Sequence, residues 1–230
     1  MVVGVIAALK EEIDPLLQSL EDVETSRWGG RTVYQGKIGD CQVVMVAGGV
    51  GKVKAAACTQ YVIDHFSIEA LICTGVAGAV NPRLHAGDLV ISRKTLQHDF
   101  DPGDPELLKK FRRRWLESDP GLVKLALNAA KELGLADRCR PGNVLTGDQA
   151  VVSQDRRRWL WQTLRADCVD MESAAVAQVC QINGVPWVIV RAISDSAEED
   201  SIAEFRSNLR EAASIAASVD VSITRSIKTR

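Results

Sequence analysis

The sequence lacks the features that would divide, export or embed it. No Pro/Ser-rich linker or low-complexity tract interrupts its 230 residues, so it reads as one domain over 1–230 rather than two small ones. No run approaches the roughly 18–20 apolar residues of a membrane span. The opening VVGVIAAL has no basic leader and is too short for a secretory signal, so it reads as a buried first strand. Charge of either sign is nearly balanced, with 28 Lys and Arg against 30 Asp and Glu, so nothing electrostatic points to DNA or RNA. The densest basic runs, Lys109–Lys110 with Arg112–Arg114 and Arg156–Arg158, are flanked by acids and read as solvated helix faces. The six cysteines include no C-x-x-C pair, and the three histidines show no metal-ligand spacing. These gaps predict reduced cysteines, a cytoplasmic protein, no membrane partner and no metal or cofactor.

What is present is an alternation of short apolar runs with amphipathic helices. Residues 2–7 are β-branched and read as a strand. A helix follows from Leu9, with Ile13, Leu16, Leu17 and Leu20 at helical spacing. Glu12, in its first turn, either complements the helix dipole or points into a crevice beyond the strand; both readings stand at this level. Trp28–Gly30 marks a turn. Residues 32–38 and 42–47 read as a hairpin closed by Gly39–Asp40. The second of these strands runs into a glycine loop, Gly48–Lys52, before a helix, where exposed N–H groups suit an anion or a sugar hydroxyl. Residues 70–74 are a further buried strand, followed by a second glycine-rich loop, 75–79. A strand at 87–92, a charged surface helix or lid within 102–119, a helix from Pro120 to Leu133 and a strand at 141–146 come next. A short helix over 155–164 and a last helix over about 201–228 complete the pattern. The class is α/β, a central mixed sheet covered by helices.

The chain is organised around residues 169–195. Asp170 and Glu172 open an apolar helix, a Gly-Val-Pro turn ends it at 184–186, and the apolar strand 187–193 stops at Asp195. Open α/β sheets bind ligands at such strand ends. Glu12, Glu172 and Asp195 thus become candidates for one cleft. Paired carboxylates suit hydrolysis or transfer at a sugar carbon, one protonating a leaving group and another activating water.

Six collinear motifs carry a resemblance: GVIAALKEE (4–12), GGVGKVKAA (48–56), TGVAGAV (74–80), GDLVIS (87–92), VDMESAA (169–175) and VRAISD (190–195). Together they resemble the nucleoside phosphorylase/hydrolase family, and within it the 5′-methylthioadenosine/S-adenosylhomocysteine nucleosidases. The resemblance spans nearly the whole chain and is weakest at 99–119. It implies a three-layer sandwich around a partly barrel-like sheet, in a homodimer. It implies that Glu12 activates the attacking water, that Met171 and Glu172 grip the ribose, and that Asp195 donates to purine N7, oriented by Ser194 or the Ser196 region. Gly78 and the backbone of Val151 match ligand-contacting positions. Leu9, Val50, Ile202 and Phe205 match an apolar 5′ pocket. Arg191 either supports the site electrostatically or is the buried partner of an acid.

Two positions depart from the family pattern, as does the segment after His98, which is poorer in aromatics and richer in Arg and Lys. Ala150 stands where an aromatic ring usually stacks on the purine, and Val76 replaces a common serine. These changes bear on the base and the 5′ group more than on the chemistry. A futalosine-type nucleosidase, a phosphorylase recruiting Arg83 or Arg93 for phosphate, and a non-catalytic nucleoside binder are the alternatives. The glycine loops offer only Lys52 to a phosphate, which favours water as nucleophile.

Overall fold

The computed structural model describes residues 1–112, 114–198 and 200–227. Arg113 of the first basic run and Lys228 at the predicted end of the last helix lie outside the described residues. In chain order the first half comprises Val2–Ala7 (β1), Lys10–Leu17 (α1), Glu21–Trp28 (β2), Arg31–Ile38 (β3), Cys41–Ala47 (β4), Lys52–Phe66 (α2), Ala70–Ala79 (β5) and Leu89–Gln97 (β6). The second half comprises Pro105–Phe111 (α3), Leu116–Glu117 (β7), Pro120–Glu132 (α4), Cys139–Thr146 (β8), Gln154–Leu164 (α5), Cys168–Asp170 (β9), Ser173–Asn183 (α6), Trp187–Asp195 (β10) and Ser201–Ser226 (α7).

All ten strands join one mixed sheet. Strand β1 lies parallel between β4 and β5, which is why its apolar run is nearly continuous: both faces are covered. Strands β5, β10, β6, β8 and β9 pair successively, and β9 pairs back onto β5, closing a barrel-like ring. One apolar core lies beneath α1, α4 and α7, where Ile13, Leu16, Ala126, Ala213 and Ala216 meet Val5, Ile72 and Val190. A second lies beneath α2 and α6, where Cys58, Val62, Val176 and Cys180 meet Ile6, Leu71 and Ile189.

Several boundaries differ from the sequence reading. Strand β2 was not expected; it carries no buried residue and so no apolar alternation. Residues 75–79 are not a loop but the second half of β5, buried throughout. Their glycines serve close backbone approach: a Cβ on Gly78 would meet Asp195 Oδ1 at 2.8 Å. The strand predicted at 87–92 begins at Leu89 and runs on to Gln97. The 102–119 segment holds a surface helix, α3, capped by the Asp104 side chain and without a buried residue, and then β7, whose Leu116 is buried. The Arg156–Arg158 run is not a uniformly solvated face: Arg156 reaches His98 and lies over the Trp159 ring, and Arg157 pairs with Glu198. Among the described residues no helix is long and apolar enough to cross a membrane.

Candidate active site

A cavity of about 260 Å³ opens where β1, β4, β8, β9 and β10 end, against the C-terminal part of β5. Its wall includes Ala8 and Leu9 after β1, Val50 after β4, Val76 to Gly78 on β5, and Gln149, Ala150 and Val151 after β8. It continues through Asp170, Met171 and Glu172, Ser194 and Asp195, and Ser201, Ile202 and Phe205 of α7. Residues scattered along the sequence thus meet because the sheet brings their strand ends together.

Glu12 points inward from the first turn of α1 and is buried. Its Oε2 accepts the N–H groups of Ala8 (2.9 Å) and Leu9 (2.8 Å), and its Oε1 accepts that of Val76 (2.9 Å). Both readings hold at this residue: it lines the cavity while, in the first turn of α1, it accepts the N-cap N–H of Leu9, and its neighbour Glu11 faces solvent. Burial raises the Glu12 carboxyl above its ordinary range, with Arg191 and the three N–H groups pulling the other way. Gly75 makes the approach possible. It sits at φ +142°, and a Cβ there would collide with the Arg191 guanidinium and the Glu12 carboxylate. Gly75→Ala is therefore expected to cost about 1–3 kcal/mol from backbone strain alone, before any clash. Urea denaturation checks this; an unchanged midpoint would contradict the geometry.

Glu172 sits at the N-terminus of α6, with Oε1 accepting the N–H of Gly51 at 2.8 Å. The first glycine loop does meet anions at a helix N-terminus, but they are the chain's own carboxylates: Lys52 N–H likewise donates to Asp148 Oδ1 at 2.8 Å. Burial, and then Asp170 beside it, pushes Glu172 up to about 7 against the pull of Arg191. The Lys52 ammonium is held by Asp99 at 2.7 Å and is not turned to the cavity.

Asp195 ends β10. Ser194 Oγ donates to its Oδ2 (2.8 Å) and the Ala197 N–H to its Oδ1 (3.0 Å). Ser196 instead bonds Glu204, so of the two candidate orienting residues Ser194 makes the contact. Burial raises the Asp195 carboxyl, and those two hydrogen bonds oppose the shift.

Arg191, read from the sequence as a support of the site or the partner of a buried acid, does not line the cavity. It is buried behind it, with Nε on Asp170 Oδ2 at 2.7 Å, Nη1 on the Thr74 carbonyl at 2.5 Å and Nη2 3.9 Å from Glu172 Oε2. Asp170 is the residue whose role sequence reasoning missed. It anchors Arg191, accepts the Thr146 hydroxyl at 2.6 Å and receives the N–H groups of Glu172 and Ser173 at the start of α6. The acidic pair before an apolar run was the available signal; which acid faced the cation was not.

Among the described residues no Lys or Arg lines the cavity, and no group of three or more His, Cys, Asp or Glu side chains is placed to hold a metal. Arg83 and Arg93, the cations considered for phosphate, are not among the lining residues.

The chain resembles proteins of known activity over nearly its full length. It is 35% identical to the aminodeoxyfutalosine nucleosidase of Campylobacter jejuni, covering 89% of this chain and 90% of the relative. It is 33% identical to the 5′-methylthioadenosine/S-adenosylhomocysteine nucleosidase of Oceanobacillus iheyensis, covering 99% and 100%. The crystal structure of the Neisseria meningitidis 5′-methylthioadenosine/S-adenosylhomocysteine nucleosidase in complex with methylthio-immucillin-A superposes with a TM-score of 0.91 at 32% identity, covering 98% and 99%. The family profile of the Phosphorylase superfamily matches residues 2–225. That match runs from the first strand into the last turns of α7 and takes in every wall of the cavity, so the chain belongs to the Phosphorylase superfamily.

Proposed function

We propose that the protein is a nucleosidase that hydrolyses the N-glycosidic bond of a purine nucleoside modified at its 5′ position, of the 5′-methylthioadenosine/S-adenosylhomocysteine type. One observation carries the reading: Glu12, Glu172 and Asp195 line a single cavity that no described cation enters. Glu12 takes a proton from water as the water oxygen bonds to C1′. The C1′–N9 bond breaks with its electron pair going to the base, and Asp195 gives its proton to N7, so the purine leaves neutral. The sugar passes through an oxocarbenium-like state, as at other glycosidic carbons. Glu172, with one oxygen held by Gly51, accepts hydrogen bonds from the ribose hydroxyls beside Met171. The backbone near Val151 and Gly78 meets the base.

Water rather than phosphate is the nucleophile in this reading. A phosphate beside Glu12 would face a carboxylate with no lining cation to offset it. The 5′ end, formed by Leu9, Val50, Ile202 and Phe205, suits an apolar substituent. A futalosine-type substrate is the second reading, favoured by the 35% identity to the Campylobacter jejuni enzyme. The same proposal includes a homodimer, to which Phe100, Leu107 and Phe111 around α3 offer exposed apolar side chains. Sedimentation measures that state directly.

The deciding experiment is free-base release from methylthioadenosine, adenosylhomocysteine, adenosine, inosine and a futalosine-type nucleoside, each with and without phosphate. Release without phosphate supports the proposal and names the substrate. Release that requires phosphate replaces it with a phosphorylase, and binding without release replaces it with a binding protein.

The carboxyl groups predict the pH dependence. Glu12 must be ionised and Asp195 protonated, and burial raises both above their ordinary values. The rate should therefore fall as pH drops through the raised values of Glu172 and Glu12 and fall again as pH rises through the raised Asp195 value, a bell with its acid limb displaced upward. A rate that stays flat down to pH 4 would remove Glu12 as the base. Ala150→Phe, which restores a ring at the cavity wall, should lower KM by roughly two- to ten-fold, the equivalent of one stacked pair; an increase in KM would show that the base lies elsewhere.

A further inference from the structure

Helix α7 turns a face of small apolar residues to the sheet, with Ala212, Ala213, Ala216, Val219 and Ile223 all buried. One carboxyl breaks that face. Asp220 is 0% exposed, and the proposed reaction makes no use of it. Its Oδ2 accepts the Thr74 hydroxyl, and its Oδ1 has no partner among the described residues. A carboxyl placed among methyl groups with one hydrogen bond is costly to bury, whichever form it takes. Burial pushes it up to about 7, so near neutrality the uncharged form is populated and bonds Thr74 without adding a charge behind the site.

The partner it meets is not an ordinary strand residue. The Thr74 carbonyl accepts Arg191 Nη1 at 2.5 Å. The next residue is Gly75, over which the Arg191 guanidinium and the Glu12 carboxylate converge. The one after is Val76, whose N–H donates to Glu12 Oε1 at 2.9 Å. Three consecutive residues of β5 therefore hold both the buried cation and the proposed base, and Asp220 grips the first of them by its side chain.

We infer that Asp220 is a positioning residue for Glu12 and Arg191, acting through the Thr74 hydroxyl to hold the backbone at 74–76 in register. This rests on the nucleosidase reading for its kinetic readout but not for its structural one. Asp220→Leu keeps the branching of the side chain and removes the acceptor. It is expected to lower kcat for base release roughly ten- to a hundred-fold, the scale of a small misplacement of a catalytic group, while KM moves less than about three-fold. Asp220→Asn retains an acceptor for Thr74 and is expected to recover most of that loss. Thr74→Val should reproduce the loss, and the Thr74→Val/Asp220→Leu double variant should be no slower than either single one, because both remove the same contact. Amide exchange at Val76 should quicken in Asp220→Leu relative to other β5 amides.

Wild-type kcat in Asp220→Leu, an Asp220→Asn variant no faster than Asp220→Leu, or unchanged exchange at Val76 would each overturn the inference. Should Asp220→Leu fail to fold, Thr74→Val and Asp220→Asn carry the same test. Wild-type protein that releases no base from any nucleoside would defeat the nucleosidase reading instead, and exchange at Val76 would then decide the inference alone.

Discussion

In the Asp195→Asn variant, release of free base is expected to fall about 10²- to 10⁴-fold in kcat, the range associated with loss of one general acid. The substitution is nearly isosteric. The amide still has an oxygen to accept a hydrogen bond and sits beside Ser194 Oγ and the Ala197 N–H, which meet the carboxyl at 2.8 and 3.0 Å. What it lacks is an acidic proton for purine N7. Without that proton the base must leave as an anion from a cavity that no described cation enters. KM should change little, because Glu172 and the apolar wall still hold the nucleoside. Steady-state kinetics with a methylthio-nucleoside, compared at matched thermal stability, decides the matter. A variant within ten-fold of wild-type kcat would show that the purine does not take its proton from Asp195.

The second large effect concerns stability. Arg191→Met is expected to destabilise the fold by about 3–5 kcal/mol, the scale seen when one partner of a buried ion pair is removed. The guanidinium is buried, bonds Asp170 at 2.7 Å and the Thr74 carbonyl at 2.5 Å, and has Glu172 3.9 Å away. Its loss strands the Asp170 carboxylate in the core and removes the positive charge that opposes the upward shift of both Glu12 and Glu172. In Tm the change should be on the order of 10 °C for a chain of this length. Adding Asp170→Asn to Arg191→Met should restore part of the loss, because the stranded charge goes with it. A single variant that melts with the wild type would mean that the pair adds nothing net to the fold.

Which residues gather around the candidate cavity was largely legible before the fold. Glu12, Glu172 and Asp195 were singled out because each adjoins an apolar or glycine-rich element, and all three line one cavity. Gly78, Val151, Met171, Val50, Val76, Ala150 and Ser194 line it as well. The second half of β5 was misread because Gly75 and Gly78 look like turn residues, whereas they are strand positions where the Glu12–Arg191 cluster and Asp195 press against the backbone. Strand β2 was missed because an edge strand with no buried face leaves no periodic trace. Asp220 gave no signal either: one acid in the stretch SVDVSITRS reads as a solvent-facing turn of helix until the sheet covers it.

By itself, the sequence determined most of the alternation of strands and helices, the hairpin at Gly39 and the strand ends where carboxylates gather. These follow from side-chain periodicity and backbone freedom over a few neighbouring residues, and a linear reading has access to both. Only the tertiary structure decided what each charged group faces. Gly51 and Glu172 are 121 residues apart, Val76 and Glu12 are 64 apart, and Thr74 and Asp220 are 146 apart, yet each pair shares a hydrogen bond. Parallel pairing of β1 with β4 and β5, and the packing of α7 on β5 and of α6 on α2, bring these partners together. The same packing sets which carboxyl is raised and which cation is spent in the core, because burial and partner distance are properties of the assembled fold and not of any local stretch.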